Sequence, residues 1–240
     1  RLQEGFRVVD VHARVEPDEK RRPQPGYGDP EQLELEMHQA GVVRAVVFPD
    51  ERSGSYLKAN NGVARMSVGR PLVAFARVNG AREPGSGAGS RLRNLTSSRG
   101  EDHTSPGDIE QYAYDDRFYG FKLHAPKDGL PDEEVLAELA DVSLPVLVHG
   151  GEDFPPSVVA EELLEYDFPV ILSHFGAHPL RTELMAEATD LLSSYDELYL
   201  DTSVVRYREP LERAVLEHPD RVLFGSGSPH THPNVAVMEI

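Results

Sequence analysis

The sequence contains no cysteine and no tryptophan, and only four of its 24 basic residues are lysines: Lys20, Lys58, Lys122 and Lys127. Without thiols, a disulfide scaffold, a thiolate zinc site and a cysteine nucleophile are excluded, which leaves histidine and carboxylate chemistry. No apolar run approaches the ~18 residues that cross a bilayer, and the first residues lack the charged-then-apolar order of a secretion signal. Positive charge is also scarce, with 41 acidic residues against 24 basic giving a formal net charge of −17. Nucleic acids and anionic membranes need basic faces. The expected partner is therefore a small-molecule substrate, with no nucleic acid and no membrane, in a cytoplasmic protein; a homo-oligomer is left open.

An acidic, lysine-poor composition is what a halophilic, salt-rich cytoplasm favours, because salt screens the self-repulsion of the compact chain. An ordinary acidic protein from a GC-rich genome is the alternative. The 240 residues suit one large α/β domain.

Short apolar, β-branched runs alternate with amphipathic stretches along the chain, the signature of βα units around a parallel sheet. Eight strands are predicted, at Arg7–Arg14, Val43–Pro49, Leu72–Val78, Tyr119–His124, Pro145–Gly150, Val170–Phe175, Leu198–Val204 and Val222–Ser226. The clearest helical patterns fall at Pro131–Asp141, Ser157–Tyr166, Leu180–Ser194 and Pro210–Glu217. The count predicts a single parallel (β/α)8 TIM barrel over residues 1–240, its last helix incomplete at Asn234–Ile240. Residues Gly80–Asp108 interrupt the rhythm as an irregular insertion after the third strand, read either as a lid or as a surface loop with one helical turn near Leu92. Within it, Gly85-Ser86-Gly87-Ala88-Gly89 lacks phosphate-loop spacing and reads as flexibility.

In such a barrel the active site lies at the carboxyl ends of the strands, so the polar residues that close each apolar run carry the chemistry. His12 closes the first run, His124 the fourth, His149 the fifth and His174 the sixth, while Asp201 ends the seventh and His230 follows the eighth. A lone histidine is more often a core or loop residue. Imidazoles converging from separate strands on one mouth can bind a divalent cation or act as acid and base near neutral pH. Lys122 and His124 share a face of the fourth strand; Lys122 reads equally as an anchor for an anion or as an interior partner of Asp10 or Asp201.

In this order and on these strands, Val9-Asp10-Val11-His12-Ala13-Arg14, Gly120-Phe121-Lys122-Leu123-His124, Val146-Leu147-Val148-His149-Gly150-Gly151, Ile171-Leu172-Ser173-His174-Phe175-Gly176 and Leu223-Phe224-Gly225-Ser226-Gly227-Ser228-Pro229 resemble the amidohydrolase-related barrels. The branch in question includes aromatic acid decarboxylases and related hydrolases. The resemblance spans nearly the whole chain and implies a metal-dependent hydrolase or lyase, with His12 and His149 as metal ligands and His174 as catalytic acid or base.

Two positions depart from the family pattern. Arg14 stands where the first strand usually carries a second histidine, and an always-protonated guanidinium has no lone pair for a cation. Gly227 stands where the eighth strand usually presents an aspartate, the metal ligand and base. The resemblance therefore leaves three readings. In the first, zinc or manganese is held by His12 and His149, with His174, His124 or water completing the shell. The second is a metal-free, lactonase-like enzyme in which Arg14 holds a substrate carboxylate and His174 moves protons. The third is a barrel that has lost catalysis. In the enzymatic readings His174, His124 and Asp201 are the catalytic candidates, and Arg14, Lys122 and His230 bind a small, carboxylate-bearing substrate.

Overall fold

A computed structural model describes residues 7–50, 56–85 and 87–239. The expectations for Ser86 and Ile240 lie outside the described residues. Eight strands form one sheet in sequence order: β1 (Val8–Val15), β2 (Val42–Pro49), β3 (Leu72–Val78), β4 (Phe118–Leu123), β5 (Val146–Gly151), β6 (Val170–His178), β7 (Leu198–Asp201) and β8 (Val222–Leu223). Every pairing is parallel.

Closure between the first and last strands runs through the backbone. Val11 N–H donates to Phe224 O at 2.9 Å, Gly227 N–H to His12 O at 2.9 Å and Arg14 N–H to Ser228 O at 2.8 Å. Asp10 locks the same seam, accepting from Ser226 N at 2.9 Å, Ser226 Oγ at 2.5 Å and His12 N at 2.9 Å. The predicted (β/α)8 barrel is the fold, and its last helix is short, at Pro233–Met238.

Two apolar layers explain why the strands read as continuous hydrophobic runs. Phe48, Phe75, Val46, Leu147 and Ile171 fill the barrel interior, while a larger cluster, including Val47, Val148, Leu172 and Leu139, lies between sheet and helices. Gly120 lets the interior close: a Cβ there would meet Phe75 Cζ and Pro145 O at 2.6 Å. Helices at Glu133–Val142, Pro156–Leu163, Thr182–Leu191 and Arg208–Glu217 match the four clear amphipathic patterns to within a few residues.

The strand ends depart from expectation where the site is built. β7 stops at Asp201 rather than Val204, and Val204 itself is left-handed at φ 62°. β4 ends at Leu123, so His124 caps the short helix Ala125–Asp128 instead of closing the strand. β6 runs on to His178 through three successive left-handed residues, His174, Phe175 and Gly176, at φ 58°, 54° and 66°. The expected irregular insertion holds a helix at Ala88–Asn94. It is tied down by an antiparallel bridge from Arg82 to Leu130 and by ion pairs from Arg82 to Glu162 and from Arg99 to Asp132.

Candidate active site

At the carboxyl end of the barrel, Asp201 organises two imidazoles. Its Oδ2 accepts Nδ1–H of His12 at 2.8 Å. Its Oδ1 accepts the backbone N–H of His174 at 3.0 Å, the backbone N–H of Ser203 at 2.8 Å and the Ser203 hydroxyl in a very short contact. Ser203 in turn receives both rings: its Oγ lies 3.1 Å from His12 Nδ1 and 2.9 Å from His174 Nδ1, and its carbonyl lies 3.1 Å from His174 Nδ1. These partners place a proton on Nδ1 of each imidazole and leave each Nε2 with a lone pair. For His174 that Nε2 is buried and has no hydrogen-bond partner among the described residues.

The left-handed turn at His174 gives the ring this position. A non-glycine residue there costs about 1–2 kcal/mol, and the bond from its N–H to the Asp201 carboxylate, a charge-assisted one, offsets part of that. Burial lowers His174 well below the usual imidazole range, with His12 the next cause. Burial also lowers His12 to about 4, despite Asp201 beside it. Burial alone would raise Asp201, but His12, by its field and its hydrogen bond, holds the carboxyl below its usual value. The site thus rests as two neutral imidazoles against one carboxylate.

His149 and His124 form a second pair. Their rings stack at 3.9 Å with planes 8° apart, and Nδ1 of each is buried without a partner. His149 lies edge-on to His174 at 5.1 Å between ring centres. Burial lowers both imidazoles, reinforced by Lys122 at His124 and by His124 itself at His149.

Lys122 lies below this layer, 2% exposed, over the Phe48 ring at 5.1 Å and 3.4 Å from Ser173 Oγ. Among the described residues it makes no ion pair with Asp10 or Asp201, the carboxylates expected as partners; burial, then Arg14, pushes its ammonium well below the usual range. Arg14 stands at the rim with its NH1 3.1 Å from His230 Nε2 and 3.6 Å from Asp50 Oδ1. Neither Asp201 nor Glu152 neutralises it, since Asp201 is taken by His12 and Glu152 by Arg181. Tyr27 O–H also approaches His230 Nε2, at 3.3 Å. With two donors converging on its Nε2, His230 orients Arg14.

The expected residues therefore fall into three groups: His12, His174 and Asp201 in direct contact, His124 and His149 stacked beside them, and Lys122, Arg14 and His230 around the rim and floor. Ser203, Asp50 and Tyr27 are not among the sequence candidates, and Asp10 enters there only as a candidate partner of Lys122. Ser203 carries a signal, lying two residues beyond Asp201 in the run expected to extend to Val204, where alternate residues share a side.

A divalent cation fits the donors present in one respect and lacks a ligand in another. His12, His174 and Asp201 are the one group of potential ligands found among the described residues, their donor atoms all within 4.8 Å of one another. Among the described residues Asp201 Oδ2 accepts only from His12, so it keeps a lone pair. The Gly227 position supplies no carboxylate, and its backbone is left-handed at φ 73°.

An amidohydrolase family model matches residues 9–236. No curated protein matches the sequence. Among solved structures, an uncharacterized TIM-barrel protein from Bordetella bronchiseptica superposes with a TM-score of 0.65 at 16% identity, over 97% of this chain and 90% of that one. A probable 2-pyrone-4,6-dicarboxylic acid hydrolase from Acinetobacter baumannii, with citric acid bound, gives 0.57 at 17% identity over 96% and 87%. An amidohydrolase 2 from Bifidobacterium longum subsp. infantis gives 0.59 at 15% over 93% and 85%.

Proposed function

The chain belongs to the amidohydrolase family, and from that premise we propose that it is a hydrolase or lyase acting on a small, carboxylate-bearing molecule at the mouth of the barrel. The observation that carries the proposal is His174. Its Nδ1 is fixed by Ser203, its backbone N–H by Asp201, and its Nε2 is buried with no partner. A neutral imidazole held this way accepts a proton from water or substrate as a general base and returns it to a leaving group. When His174 gains that proton, Asp201 stabilises the imidazolium through its field.

Arg14 supports a carboxylate-bearing substrate. One edge of the guanidinium is taken by His230 and Asp50, and the remaining N–H groups suit a two-pronged bond to a carboxylate. A probable hydrolase of a pyrone dicarboxylic acid shares this fold.

Where a metal is used, zinc or manganese would be held by His12, His174 and Asp201, with His149 alongside, and His174 then serves as ligand in place of base. Such an ion, when bound, supplies Lewis acidity to a carbonyl or lowers the pKa of water. A metal-free route is the second reading, favoured specifically by Arg14 standing where the resemblance expects an imidazole.

The test is turnover of a panel of lactones, amides and aromatic acids, each with and without a carboxylate, by metal-stripped and by zinc- or manganese-loaded protein. Expected are turnover confined to carboxylate-bearing members, a loss of about 10²–10⁴ in rate in His174→Gln and a raised KM in Arg14→Met. Equal turnover of members lacking the carboxylate, or an unaffected His174→Gln, contradicts the proposal.

A further inference from the structure

A cavity of about 440 Å³, whose lining includes none of His12, His124, His149 or His174, lies between the helix Tyr56–Ser67, the end of β3 and residues 101–112. Its wall has a buried side and an exposed side of opposite character. On the buried side stands Arg77, 3% exposed. Its Nε donates to Asp128 Oδ2 at 2.7 Å and its NH1 to Pro49 O at 3.1 Å, while NH2 is buried and has no partner among the described residues. A buried guanidinium N–H left unpaired has lost its water without gaining an acceptor, so an acceptor placed there is rewarded.

Tyr112 is the other buried donor. Its hydroxyl oxygen accepts from Asn60 Nδ2 at 3.1 Å, which leaves its own hydrogen to give. His103, half-buried, adds a third donor, because its Nδ1 accepts from Gly100 N–H at 2.9 Å and its proton is therefore on Nε2. On the exposed side stand Glu101 and Asp102, which make no ion pair among the described residues, and Asp108, which caps its own helix.

Charge decides what such a cavity accepts. The Arg77 guanidinium is matched by Asp128, so the buried end is close to neutral and offers hydrogen bonds without a net positive field. Three carboxylates at the other end oppose an anion and attract a cation. Other polar groups are already committed: Asn79 and Thr104 bond each other, at 2.9 and 2.8 Å, and Tyr56 donates to Asp128 at 2.6 Å.

We infer that this cavity is a binding site for a small organic cation carrying a carbonyl group, of the α-amino amide kind. The carbonyl oxygen accepts from Arg77 NH2 and Tyr112 O–H, and the ammonium faces Glu101 and Asp102. The site is separate from the barrel-mouth chemistry and does not rest on it. Register does place it next door, because Arg77 pairs with Lys122 on the neighbouring strand.

The experiment is a titration of the full chain with glycinamide, followed through the backbone amide resonances of Asn79, His103 and Thr104. Acetamide, ethylamine and glycine serve as comparison probes. Glycinamide is expected to shift these amides saturably and to bind about tenfold more tightly than each of the other three. The rim variant Glu101→Gln/Asp102→Asn, which alters only exposed side chains, is expected to weaken glycinamide about tenfold and leave acetamide unchanged; Arg77→Lys should weaken both. Three results would overturn the assignment: no saturable shift at these amides, equal binding of acetamide and glycinamide, or a rim variant that binds glycinamide as the wild type does.

Discussion

Asp201 Oδ2 and His12 Nδ1 are 2.8 Å apart and both residues are essentially unexposed, at 0% and 1%. That contact fixes which nitrogen of His12 faces the site. The same carboxylate positions His174 through its backbone and Ser203 through N–H and hydroxyl. One buried acid thus sets two imidazoles.

Replacing that acid has a defined consequence. Asp201→Asn swaps one acceptor oxygen for an N–H donor facing groups that themselves donate, leaving at least one buried donor unpaired. The expected loss is about 3 kcal/mol in urea unfolding, together with loss of the activity proposed for His174. A variant as stable as the wild type would contradict the role given to Asp201.

Gly227 is not a simple gap awaiting its aspartate. Its φ of 73° disfavours any L side chain, and a Cβ there would meet Val204 Cγ2 at 3.2 Å. Gly227→Asp is expected to lose about 1–2 kcal/mol without raising metal affinity, whereas Gly227→Asn, better tolerated in left-handed backbone, loses less. Paired unfolding curves and zinc titrations check this.

Stability of the metal-free protein should fall as the solution is acidified. His12 is lowered to about 4, and His124, His149 and His174 are lowered as well, with burial the leading cause in each. A depressed imidazole contributes stability that is present above the unfolded value of ~6.5 and lost as pH falls toward the folded value, at up to ~1.4 kcal/mol per pH unit per group. Asp10 acts in the opposite sense. Burial raises it to about 7, so its contribution is present below ~4 and lost as pH rises toward 7. Four imidazoles outweigh one carboxyl, and unfolding free energy near pH 5 should lie well below that near pH 7. In Asp10→Asn the decline should be steeper. Equal stability at the two pH values would contradict the burial of these groups.

The charge of −17 predicts a melting temperature that rises between dilute buffer and molar salt, because screening removes self-repulsion. An unchanged melting temperature argues for an ordinary acidic protein rather than one adapted to salt.

The barrel was readable because strands buried on both faces are nearly continuous apolar runs. The alternation of those runs with helical patterns located all eight strands to within a few residues at most ends. His12, His149, His174 and Asp201 were visible as polar residues closing such runs. Backbone geometry was not visible. Nothing in Ser173-His174-Phe175-Gly176 announces three left-handed residues, and that turn brings His174 onto Asp201 and Ser203. His124, which stacks on His149, lies one residue past the end of β4, where the apolar run gives no sign that the strand has stopped. The orienting of Arg14 by His230 joins residues 216 apart in sequence, beyond any local pattern.

The most direct test is a nitrogen-15 correlation spectrum of the histidine side chains near pH 7, assigned with His12→Asn and His174→Asn and repeated as zinc is added to metal-free protein. Neutral rings protonated on Nδ1 are predicted for both residues, with both Nε2 resonances in the unprotonated range and both moving together on zinc addition. An imidazolium at either position, protonation on Nε2, or Nε2 resonances that ignore zinc while other histidines respond would contradict the arrangement on which the proposed activity stands.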